Sequence, residues 1–184
     1  DLLVRGGRAV IVPIWNGSFD RHGKFDDDDD AQFKEYNGLW VTELRQTVDL
    51  IQSRDDLDRE KIGFQGSSFG AERAPFLLAL EPRIKTALLL IGGIHREGNV
   101  PPEINPVNFA PRATASILML NGKFDPIFPY ETSQVELYKL FGAPAAQKRH
   151  MAYPSGHSYY GWFDEMVREQ LDWQIGRASC RERV

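Results

Sequence analysis

Cysteine is almost absent from this 184-residue chain: its one example, Cys180, falls within the last ten residues. Disulfides and thiol catalysis are thereby excluded, and cysteine use assigns no redox compartment. Basic charge is also in deficit. The 22 Lys+Arg stand against 26 Asp+Glu, a net charge of −4 with a pI near 5.6, which repels a phosphate backbone and argues against nucleic acid as a partner. No apolar run approaches the ~20 residues of a membrane span, so no membrane partner is expected. Metal motifs are missing too. No histidine pair has the HExxH spacing, and the unbroken acidic run Asp26–Asp30 lacks the alternating ligands, glycine and distal glutamate of an EF-hand. No metal and no cofactor is implied. The run reads as a solvated loop, or as an acidic overhang that discourages anionic substrates.

What is present is the composition of one globular domain, 42% hydrophobic and 26% charged. Both ends look unnatural. The last ten residues, IGRASCRERV from Ile175 to Val184, resemble a translated sequencing-library adapter and are set aside as a non-native tail, leaving 1–174 as the domain. Removing the tail's three arginines and one glutamate shifts the net charge to −6. Asp1 begins without Met or signal peptide, and the chain reads as an internal fragment.

Short β-rich runs alternate with helical patterns, the sequence form of a doubly wound, mostly parallel sheet in a three-layer α/β sandwich. Five strands are expected: Ala9 to Pro13, Lys61 to Gln65, Thr86 to Ile91, Ile117 to Asn121 and Arg149 to Tyr153. Their continuous apolar character suits strands covered on both faces. Helical periodicity predicts helices over Tyr36 to Arg54, Ala71 to Leu80, Ser133 to Phe141 and Phe163 to Trp173. The stretch Gly92 to Arg112, with four prolines, is too proline-rich for a helix and is a candidate substrate-facing loop.

Gly66 to Gly70 read GSSFG, a GxSxG centred on Ser68, and lie between a predicted strand and a predicted helix. A serine at the apex of such a turn is forced into a strained backbone conformation, and Gly66 and Gly70 are small enough to let strand and helix pass closely. The turn also aims the Phe69 N–H, at a helix N-terminus, toward a developing oxyanion. A serine hydroxyl is a weak nucleophile and needs an imidazole base, which in turn needs a carboxylate. Two residues just past strand ends qualify: Asp125, after ILMLN, and His157, after RHMAY. Alone, Asp125 before Pro126 could be a turn initiator and His157 a solvated loop histidine. Together they complete the chain order Ser, Asp, His of a nucleophile-elbow hydrolase.

The other histidines are weaker candidates. His150 lies inside a predicted strand, whereas His22 and His95 follow strand ends where they could line a pocket. Of the aromatic group Trp15, Phe19, Phe128, Tyr159, Tyr160 and Trp162, most is expected to be core, with Trp15 and Phe128 candidates for lining a substrate pocket.

With these residues in place, the chain resembles the α/β-hydrolase superfamily, in its prolyl-oligopeptidase and dienelactone-hydrolase-like branch. LVRGGRAVIVPIWNGSF, LDREKIGFQGSSFGA, FAPRATASILMLNGKFDPIFPYETSQ and the later GHS are similar to hydrolase domains appended to some bacterial serine/threonine kinases, so a fused or paired domain is an expected partner. The resemblance implies Ser68 as nucleophile, Asp125 as acid, His157 as base and the Phe69 N–H as one oxyanion donor. It implies hydrolysis of a carboxylic ester through an acyl-enzyme, with a small ester or short peptide as substrate. A prolyl-oligopeptidase-type peptidase and a non-catalytic binding module are the alternatives. The resemblance also puts the second oxyanion loop, and a strand lying between AVIVP and KIGFQ, before residue 1. A gap or a non-native pairing is therefore expected beside KIGFQ, and with it poor solubility or weak activity.

Overall fold

The computed structural model describes residues 2–21, 29–95 and 100–174. Helices α1 (Leu2–Arg5), α2 (Asp30–Ser53), α3 (Phe69–Leu80), α4 (Pro106–Phe109), α5 (Val135–Leu140) and α6 (Phe163–Gln174) accompany strands β1 (Ile62–Ser67), β2 (Ile84–Leu90), β3 (Ser116–Gly122) and β4 (Lys148–Tyr153). The strands form one parallel sheet in the order β1-β2-β3-β4. All four C-terminal strand ends therefore share one edge. In a parallel sheet the loops leaving that edge can converge on a common site.

Period-two alternation sorts the sheet residues into two cores. Ala87, Leu89, Ile117 and Met119 pack with side chains of α2, α3 and α5, whereas Leu88, Leu90, Leu118 and Leu120 pack with Trp162, Met166 and Trp173 on the other face. The result is three layers. Each leucine so buried contributes roughly 2 kcal/mol. Trp173 also donates its indole N–H to Thr86 Oγ1 at 3.0 Å, pinning the end of α6 to β2.

Four of the five expected strands form; the run Ala9 to Pro13 does not. Residues 8–15 are extended but carry no ladder among the described residues. A cleft of about 700 Å³ lies between them and β1, lined by Val10, Val12, Ile62 and Phe64 among others. A β-rich sequence becomes a strand only when a neighbour accepts its N–H groups. With no such neighbour among the described residues, Val10 and Val12 stay exposed and β1 is an edge of the described sheet.

Helix boundaries moved for local reasons. The helix expected over Tyr36 to Arg54 starts at Asp30 because Asp29 caps it, its carboxylate accepting from the N–H groups of Ala31 and Gln32. Those bonds, led by the one from Gln32, hold the Asp29 carboxyl below its ordinary range. Two residues of the acidic run are thus a helix start rather than a free loop; Asp26 to Asp28 lie outside the described residues. So do His22 and the tail at 175–184. In the proline-rich stretch, Pro106 takes the first position of α4, where a missing N–H costs nothing. The helix expected over Ser133 to Phe141 opens instead as a wide turn, Tyr130–Gln134, ahead of α5.

His150 is a half-buried residue of β4. Its ring lies 5.8 Å from Tyr130 and 5.6 Å from Tyr138, and its Nε2 is buried without a partner. Burial pushes the imidazole down from its ordinary 6.5 to about 4. Above pH 6.5 the ring is neutral both folded and unfolded. As pH falls from 6.5 toward 4, only the unfolded chain takes up the proton, and stability is lost. Denaturant midpoints should thus report a loss of about 2 kcal/mol between pH 8 and pH 5 from this residue, and His150→Phe should remove that part of the pH dependence.

The elbow glycines are not equivalent. A Cβ on Gly66 would stand 2.5 Å from the Gly70 carbonyl oxygen and 2.9 Å from the Ala71 nitrogen, whereas a Cβ on Gly70 would meet nothing within 4 Å. The expected size limit therefore holds at Gly66 and not at Gly70. Thermal unfolding should show Gly66→Ala destabilised by about 1–3 kcal/mol through overpacking. Gly70→Ala, inside α3, should be neutral or stabilised by up to about 1 kcal/mol.

Candidate active site

Ser68 caps α3 with φ 51° and ψ −116°, a backbone conformation that L-residues avoid. Its N–H donates to the Leu90 carbonyl at 2.9 Å, and its own carbonyl accepts from Ala71 and Glu72. The turn is thus held on one side by β2 and on the other by the first turn of α3. The Phe69 N–H makes no hydrogen bond among the described residues, so it is free to donate beside the Ser68 hydroxyl.

The other two side chains arrive from β3 and β4. Beyond the strand ends, Lys123 N–H donates to the Tyr153 carbonyl at 2.7 Å and Phe124 N–H to the Ser155 carbonyl at 2.8 Å. The loops after the two strands therefore run together past the sheet. Gly122 is what permits this: a Cβ there would collide with the carbonyl oxygens of Ser155 and Gly156. Asp125 and His157 are brought within reach as a consequence.

His157 Nε2 lies 2.8 Å from Ser68 Oγ, and His157 Nδ1 lies 2.8 Å from Asp125 Oδ2. A carboxylate can only accept, so Nδ1 carries the proton and Nε2 is left to accept from the serine hydroxyl. Asp125 is 3% exposed. Its second oxygen, Oδ1, accepts from the N–H groups of Ile127 at 2.9 Å and Phe128 at 3.0 Å. One carboxylate thus initiates the Asp125-Pro126 turn with Oδ1 and orients the imidazole with Oδ2.

Several supporting residues were not visible in the sequence. Buried Gln134 donates from Nε2 to the carbonyls of Gly122 and Phe128, both at 2.8 Å, bracing the Asp125 loop. Asn121 donates to the Gly92 carbonyl, and the Ser133 hydroxyl accepts from the Ile94 N–H. Nothing in their sequence neighbourhood marked them, since each acts across more than one element.

The remaining candidates separate by location. Phe128 is buried, with its ring 4.8 Å from His95 and 5.8 Å from His157. Trp15 packs on the α2 side of the core and lines the cleft beside β1. Phe19 is exposed, as is Tyr160, whereas Trp162 is buried and stacks on Tyr153 at 4.2 Å. The Trp162 indole N–H donates to Ser155 Oγ at 2.7 Å, so it supports the loop that carries His157. Tyr159 packs edge-on against it. Among the described residues no cluster of three or more His, Cys, Asp or Glu could hold a metal ion, and no helix is long and apolar enough to cross a membrane.

No family model and no curated protein matches the chain. Solved structures do. A cold-adapted esterase from an Arctic intertidal metagenomic library, in its PEG-bound form, superposes with a TM-score of 0.69 at 23% identity, covering 90% of this chain and 68% of that one. TT1662 from Thermus thermophilus matches with a TM-score of 0.69 at 18% identity, over 91% of this chain and 76% of that one. Acetyl xylan esterase 1 from Thermoanaerobacterium sp. JW/SL YS485 gives 0.58 at 20% identity, over 80% and 56%. The chain spans 66% of the length of the zinc-bound form of the Arctic esterase. The parallel sheet, the strained serine turn after β1 and these superpositions lead to one conclusion: the chain has the α/β-hydrolase fold.

Proposed function

We propose that the chain is a serine hydrolase that cleaves carboxylic esters through an acyl-enzyme. The observation that carries this reading is the hydrogen-bonded line Ser68–His157–Asp125, with both links at 2.8 Å, at the C-terminal edge of a parallel sheet. Ser68 Oγ attacks the ester carbonyl as His157 Nε2 takes its proton. The Phe69 N–H donates to the resulting oxyanion. His157 then returns the proton to the departing alcohol, and water, deprotonated by the same imidazole, releases the acid. Asp125 holds the Nδ1–H tautomer throughout and stabilises the imidazolium while it lasts.

Esters are favoured over amides as substrates by the similar structures, which include esterases and acetyl xylan esterases. Within the superfamily, the sequence stretches quoted above support the prolyl-oligopeptidase and dienelactone-hydrolase-like branch, with 1–174 as the hydrolase domain. The exposed apolar side chains Phe69, Phe124 and Ile127 flank Ser68 and Asp125 in the chain and suit an ester with an apolar portion.

A fluorophosphonate probe should label the wild-type chain, and Ser68→Ala should abolish the label. With p-nitrophenyl acetate, Ser68→Ala should lower kcat by at least about 10³-fold and Asp125→Asn by about 10⁴-fold, the latter through the wrong tautomer. An aminoacyl or prolyl p-nitroanilide turned over faster than the acetate would replace the esterase reading with a peptidase. A chain that neither takes the label nor hydrolyses either substrate would indicate a binding module.

A further inference from the structure

A second polar line runs beside the first and is not used by it. Glu72 and Arg73, on α3, are both buried, and Arg73 Nη2 donates to Glu72 Oε1 at 2.6 Å. The same carboxylate oxygen lies 3.2 Å from Nδ1 of His95, whose side chain is 43% exposed. The Arg73 guanidinium sits over the rings of Phe33, at 5.2 Å, and Phe69, at 5.6 Å. A buried carboxylate is retained only where cationic or donor groups face it. Here one of those groups is an imidazole that reaches the surface.

The placement of His95 is tightly determined. Gly92 lies so close to α3 that a Cβ would collide with that of Ala71, and a Cβ on Gly93 would collide with the Ser133 hydroxyl. The Ile94 N–H is bonded to that hydroxyl at 2.9 Å. His95 is thus held between the start of α3 and the loop that carries Asp125. Its ring packs on Phe128, the ring that also flanks His157. In the esterase reading His157 protonates the leaving alcohol, and His95 is the other imidazole packed on Phe128.

We infer that His95 is a specificity-determining residue that recognises a hydroxyl on the alcohol portion of the substrate, selecting esters of polyhydroxy alcohols. The negative charge of Glu72 draws the imidazole proton to Nδ1. In the neutral ring this leaves Nε2 as an acceptor, matched to a hydroxyl donor and not to a hydrocarbon. Because the ring is 43% exposed, water occupies the acceptor when no hydroxyl does, so the discrimination against the analogue lacking the hydroxyl is the net worth of one hydrogen bond. This inference rests on the esterase reading above and adds the substrate class.

The test compares glycerol monoacetate with propyl acetate, of equal chain length but without hydroxyls, by titrating the acetic acid released. The wild-type chain should prefer the glycerol ester in kcat/KM, mainly through KM. His95→Phe, which keeps a ring against Phe128, should reduce that preference about tenfold, the worth of one hydrogen bond. His95→Gln, which retains a polar end, should recover part of it, and Glu72→Gln should shift it in the same direction as His95→Phe. Should Glu72→Gln fail to fold, the two His95 variants decide alone. A preference absent in wild type, or unchanged in His95→Phe, overturns the inference and leaves the esterase intact. Equal losses on both esters overturn it as well, by showing a structural role. If wild type releases acid from neither ester and takes no fluorophosphonate label, the esterase reading itself falls.

Discussion

The strained backbone at Ser68 is the constraint on which the site depends. A non-glycine residue at φ 51° costs of order 1–3 kcal/mol, and it persists only because its surroundings leave no alternative. The bond from its N–H to Leu90 ties it to β2, the N-terminal turn of α3 ties its carbonyl, and Gly66 allows the two elements to pass. Relaxing the turn would swing the hydroxyl away from His157 Nε2. It would also turn the Phe69 N–H away from its place beside that hydroxyl.

The imidazole and carboxylate depend on a different device, the continuation of strand-like pairing beyond the ends of β3 and β4. The bonds from Lys123 to Tyr153 and from Phe124 to Ser155 extend the register of the sheet into the loops. The missing side chain of Gly122 removes the obstacle, and Gln134 and Trp162 brace the two loops from opposite cores. The His157 imidazole and the Asp125 carboxylate are thus each carried by a loop but positioned by rigid elements.

Buried polar groups elsewhere show that packing and polarity are in tension. Arg73 keeps Nε and Nη1 unpartnered in the interior, each such donor costing about 1–3 kcal/mol. The pair with Glu72 and the two ring faces offset part of this. His150 resolves the same tension differently, by staying neutral between two tyrosines.

By itself the sequence determined the features that are local in the chain: the alternation of strands and helices, the GxSxG turn with strand before and helix after, and the order Ser68, Asp125, His157 at three strand ends. These follow from periodicity and from backbone conformations that few residues tolerate, which a stretch of ten residues already specifies. What required the tertiary structure was non-local. Ala9 to Pro13 has the composition of a strand, yet only a pairing partner can make it one, and it faces a cleft. Asp125 could be read as a turn residue or a catalytic one, and only the structure gives each of its oxygens a partner, Oδ1 the turn N–H groups and Oδ2 the His157 imidazole. Gly122, Gln134 and the contact between Glu72 and His95 left no local mark, because their roles exist only across elements distant in the chain. Propensity acts on neighbours in sequence, whereas collision, burial and hydrogen-bond partnership act on neighbours in space.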